Sequence, residues 1–99
     1  MPDGDFFSRV ADAARHNSTV VLNRLLPAGT LKGREYVALN PNRSDSKPGS
    51  FKINIDTGRW ADFATNDHGG DLISLTAYLY RMRQLEAAER LADMLGVRK

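Results

Sequence analysis

The sequence contains no cysteine, and this absence excludes several kinds of site. Disulfide bonds, thiolate metal centres and cysteine nucleophiles all need a sulfur atom that these 99 residues do not supply. Only His16 and His68 remain as nitrogen ligands for a soft metal, and they are far apart in the chain. Because a structural zinc site needs four protein ligands and two distant histidines do not make one without carboxylate help, we expect no bound metal and no cofactor.

Long hydrophobic runs are also missing, and none approaches the roughly 20 residues that a membrane-spanning helix needs. The chain starts Met1-Pro2-Asp3 and lacks the positive segment that opens a secretory signal. We therefore expect no membrane partner and, by default, a cytoplasmic location. The length suits one domain, residues 1–99, with a helical N-terminal region at 1–28 and a core at 34–96.

Helical periodicity appears at both ends of the chain. Apolar residues recur at helical spacing from Asp5 to Leu26, and His16-Asn17-Ser18-Thr19 interrupts the pattern with residues that favour helix caps. The pattern returns at Asp71 and predicts two more helices, the second of which ends at Gly96.

The middle of the chain has the alternation of strands, with glycine and proline between them. The predicted strands are 34–39, 51–55 and 59–63, and the last two form a hairpin. We therefore predict an α+β fold, in which a three-stranded antiparallel sheet lies between the helical N-terminal region and two C-terminal helices.

Catalytic motifs are hard to find. The sequence has no Walker-type phosphate loop and no nucleophile elbow. Asp62, Asp67, His68 and Asp71 cluster in sequence and suggest a divalent-metal site for nuclease-type chemistry, but caps and turns explain them more simply. We expect these residues not to form an enzyme.

Residues 29–60 carry an excess of three positive charges, although the whole chain has a net charge of only +2. Cations together with aromatic rings are typical of surfaces that bind single-stranded nucleic acid, because cations contact phosphates and rings stack on bases. The alternative is that Tyr36 and Trp60 belong to the core and the cations form a solvated face. The candidate binding residues are Arg34, Tyr36, Arg43, Lys47, Lys52, Arg59 and Trp60.

Five segments in order carry a resemblance to a known family. They are Asn40-Pro41-Asn42-Arg43, Lys47-Pro48-Gly49-Ser50-Phe51, Trp60-Ala61-Asp62-Phe63, Gly69-Gly70-Asp71 and the alanine-rich stretch 86–92. Over about sixty residues the chain resembles the N-terminal zinc-binding domain of bacterial and phage DNA primases. In that family the sheet face and nearby loops are associated with reading the template strand, and polymerisation belongs to another domain.

The chain departs from the family at the metal ligands. Asn40, Arg43, Asp62 and Asn66 (or Thr65) stand at the ligand positions, and Gly49 is an extra residue in its motif. The resemblance therefore implies a degenerate, metal-free form, as in plasmid and phage primase–helicase proteins. Since zinc can contribute about 10 kcal/mol or more to folding, our hypothesis is that the N-terminal helices and polar bonds among these four residues replace it, with an Arg43–Asp62 ion pair as the simplest substitute.

Together these features predict a non-catalytic module of a primase or primase–helicase in DNA replication. Its expected partners are single-stranded DNA, with RNA as the other possibility, and a downstream primase or helicase domain. Two alternatives stay open. The first is a protein-interaction or structural adaptor that uses the apolar helix pair, and the second is the nuclease-like metal site.

Overall fold

The computed structural model describes residues 2–44 and 48–99, with side chains from residue 5 onward. Within these ranges the chain forms four helices and five strands. In chain order they are α1 (Pro2–His16), α2 (Ser18–Leu25), β1 (Thr30–Lys32), β2 (Glu35–Ala38), β3 (Phe51–Asn54), β4 (Trp60–Asp62), β5 (Asp67–Gly69), α3 (Leu72–Tyr80) and α4 (Gln84–Leu95).

The sheet is an antiparallel meander in the order β1-β2-β3-β4-β5. The α+β class is confirmed, but the prediction of three strands is wrong. The three predicted strands correspond to β2, β3 and β4, and each edge of the sheet carries a further short strand that the sequence pattern does not indicate.

Alternation of apolar and polar residues does not predict strand β1, because all three of its residues are exposed. Its pairing with β2 follows instead from the turn between them. Lys32 pairs with Glu35 across a two-residue loop, and Gly33, the first loop residue, has a φ of 62°. Tight hairpin turns require positive φ at this position, which glycine adopts without strain.

Strand β5 consists of Asp67, His68 and Gly69, none of which favours extended structure. It forms because β4 presents an unpaired edge immediately before it in the chain. Asn66, with a φ of 68°, turns the chain back along that edge. Gly69 then lies so close to the Trp60 ring that an added Cβ would approach Nε1 to 2.4 Å.

The helices cover one face of the sheet, and the main hydrophobic cluster lies between them. Tyr36, Ile53 and Trp60 are aligned across β2, β3 and β4 and point into this cluster. Helix α2 is joined to the sheet by the Ser18 hydroxyl, which donates to the Ile55 carbonyl at 2.7 Å. The helices therefore leave only the opposite face of the sheet open to a ligand.

The predicted helix ends are largely confirmed. Asp71 caps α3 in a capping box with Ser74, and Gly96 ends α4 in the left-handed conformation. Asn17 separates α1 from α2, but its side chain donates back to the Ala13 carbonyl and does not cap α2. In the part of the chain that the structure describes, no helix has the length and apolar character needed to cross a membrane.

Candidate nucleic-acid interface

The sheet face that the helices leave uncovered, called here the open face, carries the side chains at alternate positions of β2, β3 and β4. Lys52 is paired with Val37 on one side and Ala61 on the other, and Ala61 is paired with His68. Directly paired residues of antiparallel strands point to the same side of a sheet. These side chains therefore form one row across the open face.

A shallow groove of about 480 Å³ crosses the open face. Its floor is low at Ala61, because the methyl group there is much shorter than the neighbouring side chains of Lys52 and His68. The polar, charged and aromatic residues that line the groove are Glu35, Lys52, Asn54, Arg59, Trp60, Phe63 and His68.

Phe63 is the most unusual residue of this groove. Its side chain is 72% exposed, the largest value among the exposed large apolar residues, in a chain whose Phe6 and Phe51 are buried. An exposed ring of this kind offers a flat apolar surface to a planar ligand such as a nucleobase. The ring therefore gives the groove a stacking platform.

Two cations accompany the ring. Arg59 is exposed and has no ion-pair partner among the described residues. The Lys52 ammonium lies 3.8 Å from the Glu35 carboxylate, a loose pair in which both side chains remain partly exposed. Surface pairs of this type are weak, so Lys52 is free to contact a phosphate as well.

The predicted binding residues do not all meet in this groove. Lys52 and Arg59 line it with partly exposed and exposed side chains, respectively. Trp60 also borders it, but Trp60 is only 5% exposed and, like Tyr36, belongs to the core, as the alternative interpretation of the sequence held. The Tyr36 hydroxyl donates to the Leu26 carbonyl at 2.6 Å, and burial raises its pKa. The Trp60 indole donates to the Ser74 hydroxyl at 2.9 Å.

The remaining three candidates lie elsewhere. Arg34 is in the β1–β2 turn, where its exposed guanidinium pairs with Asp56 at 3.3 Å. Arg43 belongs to a buried polar cluster described below. Lys47 lies outside the described residues.

The sequence analysis did not predict Phe63 or His68 as groove residues, and it considered His68 only as a possible metal ligand. A signal for Phe63 was present, because residues 59, 61 and 63 share one face of an extended strand and Arg59 is among them. His68 had no such signal, since it lies on the strand that the sequence did not predict.

The second notable feature is a buried polar cluster around Asp62, whose side chain is fully buried. Arg43 donates to it from Nε at 2.7 Å and from Nη2 at 3.3 Å. Asn40 Nδ2 and the Ala64 backbone N–H donate to it at 2.8 and 2.9 Å. The expected Arg43–Asp62 ion pair is thus present, within a set of four hydrogen bonds to one carboxylate.

These bonds decide the ionisation of Asp62. Burial by itself raises the pKa of a carboxyl group, but the hydrogen bonds from Arg43, Asn40 and the Ala64 N–H outweigh burial. The pKa of Asp62 is consequently held well below its usual range. The group is a carboxylate at neutral pH and ties the loop after β2 to the loop after β4.

Tyr78 extends the cluster toward β5. Its hydroxyl accepts from Asn40 Nδ2 at 2.8 Å and donates to Asp67 at 2.7 Å, and burial raises its pKa. Asn66, the fourth degenerate ligand position, is exposed and contributes its backbone N–H, which donates to the Asp62 carbonyl at 2.7 Å.

This donor set does not fit zinc. Arg43 is a cation with no lone pair to give, the Asn40 amide nitrogen is already a donor to Asp62, and no thiolate is present. Nor do residues 2–44 and 48–99 contain any group of three His, Asp or Glu side chains placed to hold a metal. The nuclease-like alternative therefore gains no support, since Asp62 is buried and Asp71 caps α3.

The adaptor alternative predicts an exposed apolar surface on the C-terminal helices. Leu72, Ile73, Leu75 and Leu91 are instead buried in the core. The exposed large apolar side chains of these two helices are Tyr80 and Leu85, at 46% and 47%.

Comparison with known proteins gives a fold but no family. No protein-family model matches the chain, and no curated protein sequence matches it. A crystal structure of the Aquifex aeolicus primase, comprising its zinc-binding and RNA polymerase domains, is similar with a TM-score of 0.73 and 21% identity. The match covers 92% of this chain and 21% of that one, so the chain has a primase-like fold and spans about a fifth of the primase chain.

Proposed function

We propose that the open face binds single-stranded nucleic acid, DNA in the first place, as a non-catalytic module of a primase or primase–helicase. The observation that carries this proposal is the 72% exposed ring of Phe63 in a groove with Lys52 and Arg59. A ring for base stacking and cations for phosphates are the two elements that sequence-tolerant binding of single strands needs.

The primase-like fold supports the replication context. A chain that spans a fifth of a primase is expected to work beside a primase or helicase domain, which supplies the chemistry. The role of the module is then to hold the template strand. RNA is the competing ligand, and a preference between the two is an outcome of the same binding assay.

The proposal includes the polar cluster as the substitute for a metal. Asp62 and Arg43 join the two loops that a zinc ion would join in a metal-bearing relative. Because those loops follow β2 and β4, the cluster holds the strands of the groove in register without a cofactor.

The test is fluorescence anisotropy with a labelled 15-nucleotide strand at ~50 mM salt. Phe63→Ala should weaken binding roughly fivefold or more, because stacking contributes about 1–3 kcal/mol per base. Arg59→Ala should weaken binding and lower the salt dependence, since one phosphate contact contributes about 0.7 to the slope for a single strand.

Arg34→Ala is the matched control, because it removes the same charge from an exposed arginine that does not line the groove. It should change affinity much less than Arg59→Ala. Absence of binding at ~50 mM salt would refute the proposal and favour an adaptor role. If Arg34→Ala and Arg59→Ala lost the same affinity, binding would depend on the overall charge and not on the groove.

A further inference from the structure

One carboxylate stands in the wall of a groove that otherwise attracts a polyanion. Glu35 begins β2, lines the groove, and is half-exposed, with its oxygen 3.8 Å from the Lys52 ammonium. At this separation the pair is too long for a good hydrogen bond, so the lone pairs of the carboxylate remain available. A negative charge here weakens phosphate binding and therefore calls for a role other than electrostatic attraction.

The groove geometry offers such a role. Phe63 and Arg59 lie on the same face of one strand, four positions apart, with Ala61 between them as the low floor. Glu35 lies across the sheet from Arg59, because β3 places Asn54 opposite Glu35 and the Asn54 N–H donates to the Arg59 carbonyl. A single strand lying along the groove therefore meets the Phe63 ring at one end and the Glu35 carboxylate toward the other, roughly 13 Å away along the strand direction, so the two groups contact different bases.

The chemistry of the acceptor selects the base. A carboxylate accepts hydrogen bonds and cannot donate them, so it pairs with an exocyclic amino group such as N4 of cytosine. Thymine presents a carbonyl oxygen at the corresponding position, and its one donor on this edge, N3–H, lies between two carbonyl oxygens that repel a carboxylate. A buried or half-buried pair of acceptors is unfavourable.

We infer that Glu35 is a specificity residue, which makes the groove prefer an unpaired base with an exocyclic amino group over thymine. This inference rests on the proposed function, because it concerns the same groove. It adds a base preference to a site that stacking and phosphate contacts alone would leave indifferent to sequence.

The experiment compares the affinities of labelled dC15 and dT15, two pyrimidine strands of equal length and charge, for the wild-type chain and Glu35→Gln. The wild type should bind dC15 roughly three- to tenfold more tightly, the range expected for one exposed charge-assisted hydrogen bond. Glu35→Gln removes the charge and adds a donor, so it should strengthen binding of both strands while the ratio between them falls toward one.

The ratio of the affinities for dC15 and dT15 distinguishes base recognition from simple charge repulsion. A variant that binds both strands more tightly at an unchanged ratio, or a wild type that binds dT15 as well as dC15, would overturn the inference and leave the proposed function intact. Failure of both strands to bind the wild type would instead refute the proposed function. Glu86→Gln on α4, which removes the same charge away from the groove, should leave the ratio unchanged.

Discussion

Replacing Arg43 by alanine should destabilise the protein far more than replacing any other paired arginine on its surface. The substitution removes both guanidinium contacts to Asp62, at 2.7 and 3.3 Å, and a third contact to the Ser50 hydroxyl at 2.5 Å. Among the described residues, a fully buried carboxylate is then left with only Asn40 and the Ala64 N–H as donors.

The magnitude follows from this burial. Breaking a buried ion pair by removing one partner costs about 3–5 kcal/mol, because the remaining charge is left without compensation. The Arg43 side chain is itself 25% exposed, so water can partly replace it, and we expect a loss of about 2–3 kcal/mol. In a domain of this size that corresponds to a fall in Tm of roughly 10–20 °C.

The assay is thermal unfolding followed by circular dichroism, with Arg34→Ala as the matched control. The Arg34–Asp56 pair has side chains that are 75% and 52% exposed, so its loss should lower the stability by less than about 1 kcal/mol. If Arg43→Ala melted within a few degrees of Arg34→Ala, the cluster would not stabilise the fold, and the idea that it replaces a metal would be refuted.

Three further predictions concern the same structure. Asp62 has a lower pKa in the folded than in the unfolded protein, so its contribution to stability is complete above pH about 4 and is lost as the pH falls further; urea midpoints measured down to pH 2 should decline, and Asp62→Asn should remove part of that decline. Addition of EDTA should leave Tm unchanged, because the ligand positions are occupied by hydrogen bonds, and a large fall would show a bound metal. Gly69→Ala should lower the unfolding free energy by about 1–3 kcal/mol, because its Cβ would meet Trp60 and Ser74 at 2.4 Å, whereas Gly70→Ala, with open space around it, should be nearly neutral; equal effects would contradict this packing.

The elements with strong periodicity were predictable from the sequence. Strand β3 alternates between apolar and polar residues, and the helices show a clear apolar stripe, so their positions agree with the structure. The edge strands were not predictable in this way. Strand β5 forms by backbone pairing with the edge of β4. The residue types of Asp67 and His68 give no indication of this pairing.

For the candidate site, the sequence could not predict which face of β4 is buried. On β4 the sequence indicates that Arg59 and Phe63 share one face and Trp60 and Asp62 share the other, but it does not say which face is buried. Each face contains one aromatic and one charged residue. The decision depends on Arg43, which neutralises Asp62 inside the protein, and on Asn40, which donates a hydrogen bond to it; together they allow the Trp60 face to become the core.

The Asp62 cluster also bears on the conditions under which such a module can fold. A thiolate zinc site makes folding depend on metal supply and on a reducing environment, since oxidation of the ligands releases the ion. Here both loops are joined by atoms that the chain itself provides, and these 99 residues contain no sulfhydryl group to oxidise. The sheet should therefore keep its shape through zinc starvation and oxidative stress, and acid is the stress to which its central bond responds.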